Sequence, residues 1–149
     1  MMNGMKKIGF TGTSRGTSAR QRQSLTFIFE ILREGKPSAA LELHHGDCVG
    51  ADAEAHTIAL ELGIAVVIHP PEDTKARAFC GDATASRDPK PYLVRNHAIV
   101  DETEFLIACP ATYVEHLRSG TWATYRYALR LGRRIILITP DGKVVWDAV

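Results

Sequence analysis

Short segments suited to buried strands alternate along this chain with longer segments suited to amphipathic helices, and this alternation restricts the possible folds most. Strands that alternate with helices form parallel βαβ units with right-handed crossovers, so helices cover both faces of the sheet. The sequence therefore predicts a three-layer α/β fold with a mainly parallel sheet. The predicted strands are Lys6–Phe10, Leu41–His45, Ile64–Ile68, Phe105–Ala108 and Arg134–Thr139, with an edge strand at Lys143–Trp146.

Helix signals lie between these strands. Ser18 is suited to cap a helix that runs to about Glu34 and ends at Gly35 and Pro37. The segment Pro70–Pro91 is polar and irregular, and a loop of this length inside a compact domain is often functional. Three further helices are predicted, at Ala51–Leu62, Tyr92–Asp101 and Thr121–Leu131.

The chain has 149 residues, a length that suits one hydrophobic core, and we expect a single domain over residues 1–149. Its formal net charge is +1, so no general attraction to nucleic acid or to an anionic membrane is expected. Three widely spaced cysteines argue against a disulfide framework. Because no apolar run suits a signal peptide or a membrane span, we expect a soluble, cytoplasmic protein.

Three turns of this chain carry the residues that α/β proteins use to bind ligands at the carboxyl ends of their strands. In the first turn glycine permits close backbone approach, hydroxyl groups form hydrogen bonds, and arginine offers a forked contact to phosphate. In the second turn an aspartate is suited to accept from a ribose hydroxyl. The residues are Gly12, Thr13, Ser14 and Arg15; then Gly46, Asp47, Gly50, Ala51 and Asp52; then Ser119, Gly120 and Thr121.

Each turn also has a purely structural explanation, namely a strand-to-helix turn, a helix cap by aspartate, or a helix cap by Ser119. Trp122 follows the third turn and is suited either to stack on a base or to pack in the core. We expect no metal site, because the six histidines form no pair four residues apart with an adjacent carboxylate.

The combination of these segments resembles the SLOG superfamily, the Rossmann-like group that includes the YpsA/YspA-type proteins, the DNA-processing protein DprA and the cytokinin-activating LOG enzymes. The resemblance rests on Gly9–Arg15, Gly46–Asp52, Arg95 with Asn96, and Ser119–Thr124, which span nearly the whole chain in the family's order. The elements Gly-Asp-x-x-Gly-Ala-Asp and Gly-Thr-Trp-x-Thr are most similar to the YspA-type branch.

This resemblance implies a Rossmann-like SLOG domain that self-associates and binds a nucleotide-like ligand, such as a nucleoside monophosphate or an ADP-ribose-like compound. It implies that Gly120 and Thr121 lie at the phosphate and that Arg95 and Asn96 line the same cleft. The first hypothesis for the function is therefore that the protein binds or senses a nucleotide.

LOG enzymes carry the motif Pro-Gly-Gly-x-Gly-Thr-x-x-Glu, from which this chain departs. When the motif is aligned on Gly120 and Thr121, Thr124 stands at the catalytic glutamate. Hydrolysis of a nucleotide or its N-glycosidic bond, the second hypothesis, then lacks its expected acid/base group unless Asp47 or Asp52 replaces it. A third hypothesis, binding of single-stranded DNA as in DprA, is disfavoured by the near-neutral charge.

Overall fold

The structure is a computed structural model, and it describes residues 5–37 and 40–147. The described residues form strands and helices in the predicted alternation, and the sheet contains seven strands. In chain order the elements are β1 (Lys6–Gly12), α1 (Ala19–Arg33), β2 (Leu41–His45), α2 (Ala51–Glu61), β3 (Ala65–Ile68), β4 (Ala85–Ser86), α3 (Tyr92–Asp101), β5 (Phe105–Cys109), α4 (Gly120–Arg130), β6 (Arg134–Ile138) and β7 (Val144–Trp146).

The strands follow the order β4-β3-β2-β1-β5-β6-β7, and every neighbouring pair is parallel except β6 with β7. From β1 the chain proceeds outward on one side through β2, β3 and β4, and it then returns to place β5 on the other side. The direction of winding therefore changes between β1 and β5, where the ends of two strands leave a crevice open to a ligand.

Helices cover both faces of the sheet, which gives the three predicted layers. On one face α1 and α2 pack together over a core that contains Phe10, Leu25 and Phe29. On the other face α3 packs against α4 over a second core that contains Leu106 and Trp122. The prediction of an α/β, mainly parallel, Rossmann-like fold is thus confirmed.

Most predicted elements agree with the structure to within one or two residues. Ser18 caps α1 as expected, and its hydroxyl oxygen accepts from the backbone N–H of Gln21 while the Gln21 side chain accepts from the Ser18 N–H. The prediction missed β4, which lies inside the polar segment Pro70–Pro91 and pairs with β3. Within the residues described, the helices are too short or too polar to cross a bilayer.

Candidate ligand-binding cleft

A cleft of about 670 Å³ lies at the carboxyl ends of β1 and β5, where the winding of the sheet changes direction. The loop after β1, the turn after β2, the start of α3 and the loop between β5 and α4 surround it. Most of the site residues predicted from the sequence line this cleft: Gly12, Thr13, Ser14, Arg15, Gly46, Asp52, Arg95, Asn96, Ser119, Gly120 and Thr121.

The N-terminus of α4 presents unpaired hydrogen-bond donors to the cleft. Ser119 caps the helix, and its hydroxyl oxygen accepts from the backbone N–H of Trp122 at 3.2 Å. The N–H groups of Gly120 and Thr121 have no partner within the part of the chain that the structure describes. The Thr121 hydroxyl also lacks a partner there, although the residue is only 6% exposed. A helix N-terminus with free N–H groups attracts anions.

The loop after β1 faces this helix end across the cleft. The Thr13 hydroxyl accepts from the backbone N–H of Arg15 at 3.1 Å, while the N–H of Ser14 makes no hydrogen bond to any described residue. Ser14 and Arg15 are exposed, and the Arg15 guanidinium forms no ion pair with a described residue. The loop thus adds hydrogen-bond donors and a positive charge to the side of the cleft opposite α4.

Arg95 fixes the start of α3 to the ends of two strands. Its guanidinium donates to the carbonyl oxygens of Gly46 and His69, the latter at 3.0 Å, and its Nε donates to the Asn96 side-chain oxygen at 2.8 Å. Because that bond occupies the oxygen, the Asn96 NH₂ group points toward α4, 3.9 Å from the position that a Cβ on Gly120 would take. Arg95 therefore positions Asn96 as a further donor.

Asp52 is the one carboxylate among the residues that line the cleft. Its Oδ2 accepts from the backbone N–H groups of Gly46 and Cys48, at 3.1 and 3.2 Å, whereas its Oδ1 has no partner in the described residues. Burial raises the pKa of Asp52 to about 6, against the opposing effects of Arg95 and the two backbone N–H groups. A carboxyl with this pKa exchanges a proton near neutral pH.

The remaining predicted site residues lie outside the cleft. Asp47 is fully buried and accepts from Arg77 Nε at 2.7 Å and from the Cys80 N–H at 2.9 Å, so it holds the following loop in place. The Trp122 indole N–H donates to the Thr112 hydroxyl, the Thr124 hydroxyl donates to the Gly120 carbonyl, and both side chains are buried. Gly50 and Ala51 form the junction of the turn with α2.

Three of the glycines are required by close packing behind the cleft. A Cβ on Gly12 would lie 2.4 Å from the Ala51 Cβ, and one on Gly46 would lie 2.5 Å from an Arg95 guanidinium nitrogen. Gly50 has a φ of +86°, and its Cβ would lie 2.4 Å from the Ser14 carbonyl oxygen. Gly12 and Gly50 let the turns after β1 and β2 meet, and Gly46 leaves room for the Arg95 guanidinium.

Several cleft residues were not identified from the sequence. Arg118 and His116 come from the exposed loop before α4, and Tyr92 and Leu93 come from the first turn of α3. Their signal in the sequence was proximity, because each lies within three residues of Arg95 or Ser119. Among the described residues that line the cleft, three arginines (Arg15, Arg95 and Arg118) stand against one carboxylate, Asp52. The net charge around the cleft is therefore positive and favours an anionic ligand.

Two groups of potential metal ligands occur among the described residues, and neither lines the cleft. One consists of His45, His56 and Cys80, and the other of His44, His69 and Glu102. The sequence did not reveal either group, because the members come from different elements.

The fold can be compared with solved structures, whereas the sequence itself matches no family model and no curated protein. The molybdenum cofactor binding protein from Rippkaea orientalis has a TM-score of 0.68 at 20% identity, over 92% of this chain and 78% of that one. The protein TM1055 has a TM-score of 0.64 at 15% identity, over 90% of this chain and 74% of that one. For DNA processing protein A from Streptococcus pneumoniae the TM-score is 0.66 at 20% identity, over 89% of this chain and 50% of that one.

These similarities define the class of the protein at the level of its fold. The chain has a Rossmann-like α/β fold that it shares with these solved proteins, as the sequence predicts.

Proposed function

We propose that this protein binds a nucleotide or nucleotide-derived ligand in the cleft between β1 and β5, with a phosphate group at the N-terminus of α4. The observation that carries the proposal is the set of unpaired donors there, the N–H groups of Gly120 and Thr121 and the Thr121 hydroxyl. A phosphate oxygen is the acceptor that such a set stabilises best, because it carries charge and accepts several hydrogen bonds.

The rest of the cleft suits the nucleoside part of such a ligand. The free Oδ1 of Asp52 can accept a hydrogen bond from a ribose hydroxyl, as acidic residues do in other α/β proteins. Tyr92 and Leu93 are 39% and 62% exposed and offer apolar surface against which a base can stack. The cleft thus offers both charged groups and apolar surface to a ligand.

The ligand can be identified by mass spectrometry of small molecules released from the natively purified protein. We expect a phosphorylated nucleoside or a dinucleotide. Calorimetry with that compound, or with AMP and NAD if none is released, measures the affinity. Absence of binding to every phosphorylated nucleoside by folded protein contradicts the proposal.

The phosphate position is tested by Gly120→Val, with Gly81→Val as the matched control. An added Cβ has no close neighbour at Gly120 and none within 4 Å at Gly81, so both variants can fold. Only Gly120 lines the cleft, where the valine side chain blocks the backbone N–H groups. We expect at least a tenfold loss of affinity in the first variant and none in the second.

A second candidate function, hydrolysis of a nucleotide or its N-glycosidic bond, is favoured by Asp52. A carboxyl with a pKa of about 6 and one open oxygen is suited to act as a general acid or base beside a bound ligand. Incubation of the protein with AMP and NAD should then release free base or ribose phosphate, and Asp52→Asn should abolish the turnover. Unchanged nucleotides after prolonged incubation favour binding alone.

We also propose that the protein is cytoplasmic and forms homo-oligomers.

We further propose that single-stranded DNA is not the ligand of this protein. The similar structure of DNA processing protein A from Helicobacter pylori is described with a single-stranded DNA binding mode, at 18% identity and a TM-score of 0.58. This chain carries a net charge of only +1. DNA affinity should therefore be weak, whereas tight binding with a steep salt dependence contradicts this part of the proposal.

A further inference from the structure

We propose that His44, His69 and Glu102 form a binding site for a divalent cation of the zinc type, where β2, the end of β3 and the C-terminal end of α3 meet. None of the three residues lines the ligand cleft, so the site is independent of the proposed nucleotide function. Two imidazoles and one carboxylate are an established zinc ligand set, with a water molecule in the fourth position.

The side chains already lie close to the required geometry. His44 Nδ1 is 2.8 Å from His69 Nε2 and 4.0 Å from Glu102 Oε1. Ligand atoms around tetrahedral zinc are about 3.3 Å apart when the metal–ligand bonds are about 2.0–2.1 Å. All the ligand atoms lie within 4.8 Å of one another, so side-chain shifts of roughly 0.5–1.5 Å complete the site. Both histidines are buried, while the Glu102 side chain is 34% exposed and leaves a path for the ion.

The hydrogen-bond partners prepare His44 and Glu102 as ligands. His44 Nε2 lies 2.7 Å from Glu42 Oε1, and because a carboxylate only accepts, Nε2 carries the proton and Nδ1 accepts from the Nε2–H of His69. His69 Nδ1 has no hydrogen-bond partner among the described residues and lies 4.0 Å from Glu102 Oε2, so the His69 proton can move to Nδ1 and leave the two facing nitrogens free for an ion. This is the carboxylate–histidine–metal arrangement that orients ligands in zinc sites. Arg87 donates two hydrogen bonds to Glu102 Oε1, at 2.8 and 3.0 Å, so Oε2 is the carboxylate oxygen left open to the ion. The carboxylates of Glu42 and Glu102 together with the guanidinium of Arg87 carry a net negative charge, which favours a cation.

The second group of potential ligands provides a contrast, because its ring nitrogens are already committed. The Asp47 N–H donates to His45 Nδ1 at 3.0 Å, so His45 Nε2 carries the proton and donates to His56 Nδ1 at 2.9 Å. His56 Nε2 then donates to the Gly81 carbonyl at 2.7 Å. No lone pair remains for a metal in this chain of hydrogen bonds, and His56 therefore supplies a matched control.

The experiment uses the full chain, stripped with a chelator and titrated with Zn²⁺ by calorimetry and with Co²⁺ by absorption spectroscopy. We expect one ion per chain and a cobalt spectrum without a thiolate charge-transfer band, since the proposed ligands contain no sulfur. Zn²⁺ should raise the melting temperature, and chelator should reverse the rise. Because these readouts use the parent protein, they do not depend on the folding of any variant.

Variants then locate the ion. His69→Gln and Glu102→Gln should each weaken Zn²⁺ binding at least tenfold, and Glu42→Gln should weaken it by about 10–100-fold through His44. His56→Gln should leave the affinity unchanged. Absence of stoichiometric binding to the parent, a thiolate band, or an equal loss in His56→Gln overturns the proposal.

Discussion

Asp52, which lines the ligand cleft, makes the stability of the protein depend on pH. Burial raises its pKa from the ordinary 3.8 to about 6, so the folded protein binds this proton more tightly than the unfolded chain does. The contribution is most favourable below pH 3.8 and is lost as the pH rises from about 4 to about 6. We expect the unfolding free energy of the parent, relative to Asp52→Asn, to fall by about 3 kcal/mol over this range.

Urea unfolding of both proteins at a series of pH values measures this difference. The exposed Asp88, changed to asparagine, serves as the control. If the difference in unfolding free energy between the parent and Asp52→Asn stays constant across this pH range, Asp52 does not have the raised pKa.

Asp47 shows the opposite behaviour because its carboxylate is paired. Although burial alone raises its pKa, hydrogen bonds from the Cys80 backbone and the Arg77 guanidinium bring it below the ordinary value of 3.8. Its stabilising contribution is therefore complete above pH 3.8 and is lost as the pH falls through the lowered pKa. We expect Asp47→Ala to cost about 2–4 kcal/mol at pH 7, since two partly buried donors lose their acceptor and alanine is strained at the φ of 56°.

Asp47→Asn should cost clearly less than Asp47→Ala, because asparagine tolerates a positive φ and keeps an acceptor for the Cys80 N–H. Thermal and denaturant unfolding of the two variants give the comparison. Equal losses in both would mean that the charge of Asp47, rather than its hydrogen bonds and backbone, stabilises the turn.

The sequence indicated the turns of the site but not the role of each residue within them. Asp47 and Asp52 belong to one turn, and both suit a helix start, so the pattern could not separate them. Which of them faces the cleft depends on Arg77 and Cys80, which reach Asp47 from a loop thirty or more residues away. Long-range contacts of this kind leave no local signal in a single sequence.

At the scale of elements, Gln21 joins the start of α1 to the ends of two strands. Its side-chain NH₂ group donates to the carbonyl oxygens of Pro110 and Ile138, at 2.8 and 3.0 Å, and the residue is buried. Pro110 follows β5 directly beside the cleft. We expect Gln21→Leu to cost about 2–4 kcal/mol, because two buried carbonyls lose their donors and the capping box is broken.

The exposed Gln23 on the same helix, also changed to leucine, is the matched control and should alter stability by less than about 0.5 kcal/mol. Denaturant unfolding measures both variants. Similar stabilities for the two would mean that α1 does not need Gln21 to hold the strand ends.

Helices and most strands could be predicted because their signals are local. Ser18 before α1 and the glycines after the helices mark boundaries that depend only on neighbouring residues. The strand β4 could not be predicted, because it has two residues in a polar segment and exists only through its pairing with Val67 and Ile68. The pairs of histidines were missed for the same reason.

At the scale of the whole molecule, the order of the strands explains why distant segments meet in one cleft. The winding changes direction between β1 and β5, so the loop after β1 faces the helix that follows β5. The alternation of strands and helices predicted this type of fold, and the rule that ligands bind where the winding reverses then predicted the edge of the sheet. The sequence alone could not predict the cleft's volume or its charge.

Apolar surface beside the cleft indicates that copies of the molecule assemble. Apolar side chains beside the cleft are strongly exposed, with Tyr113 at 61%, Val114 at 74% and Leu117 at 87% in the loop before α4, and Leu93 at 62% in α3. Apolar surface of this kind is characteristic of contact sites between proteins. We expect light scattering at micromolar concentration to give a mass above the 16.4 kDa of one chain.

Leu117→Glu should shift this assembly toward single chains, because a carboxylate in an apolar contact loses its hydration without gaining a partner. Leu60 is 37% exposed on α2, which covers the other face of the sheet, so Leu60→Glu is the control and should leave the mass unchanged. Since Leu117 belongs to the loop that also carries Arg118 into the cleft, ligand affinity should fall together with the mass in Leu117→Glu. A parent protein that stays at 16.4 kDa at every concentration contradicts self-association.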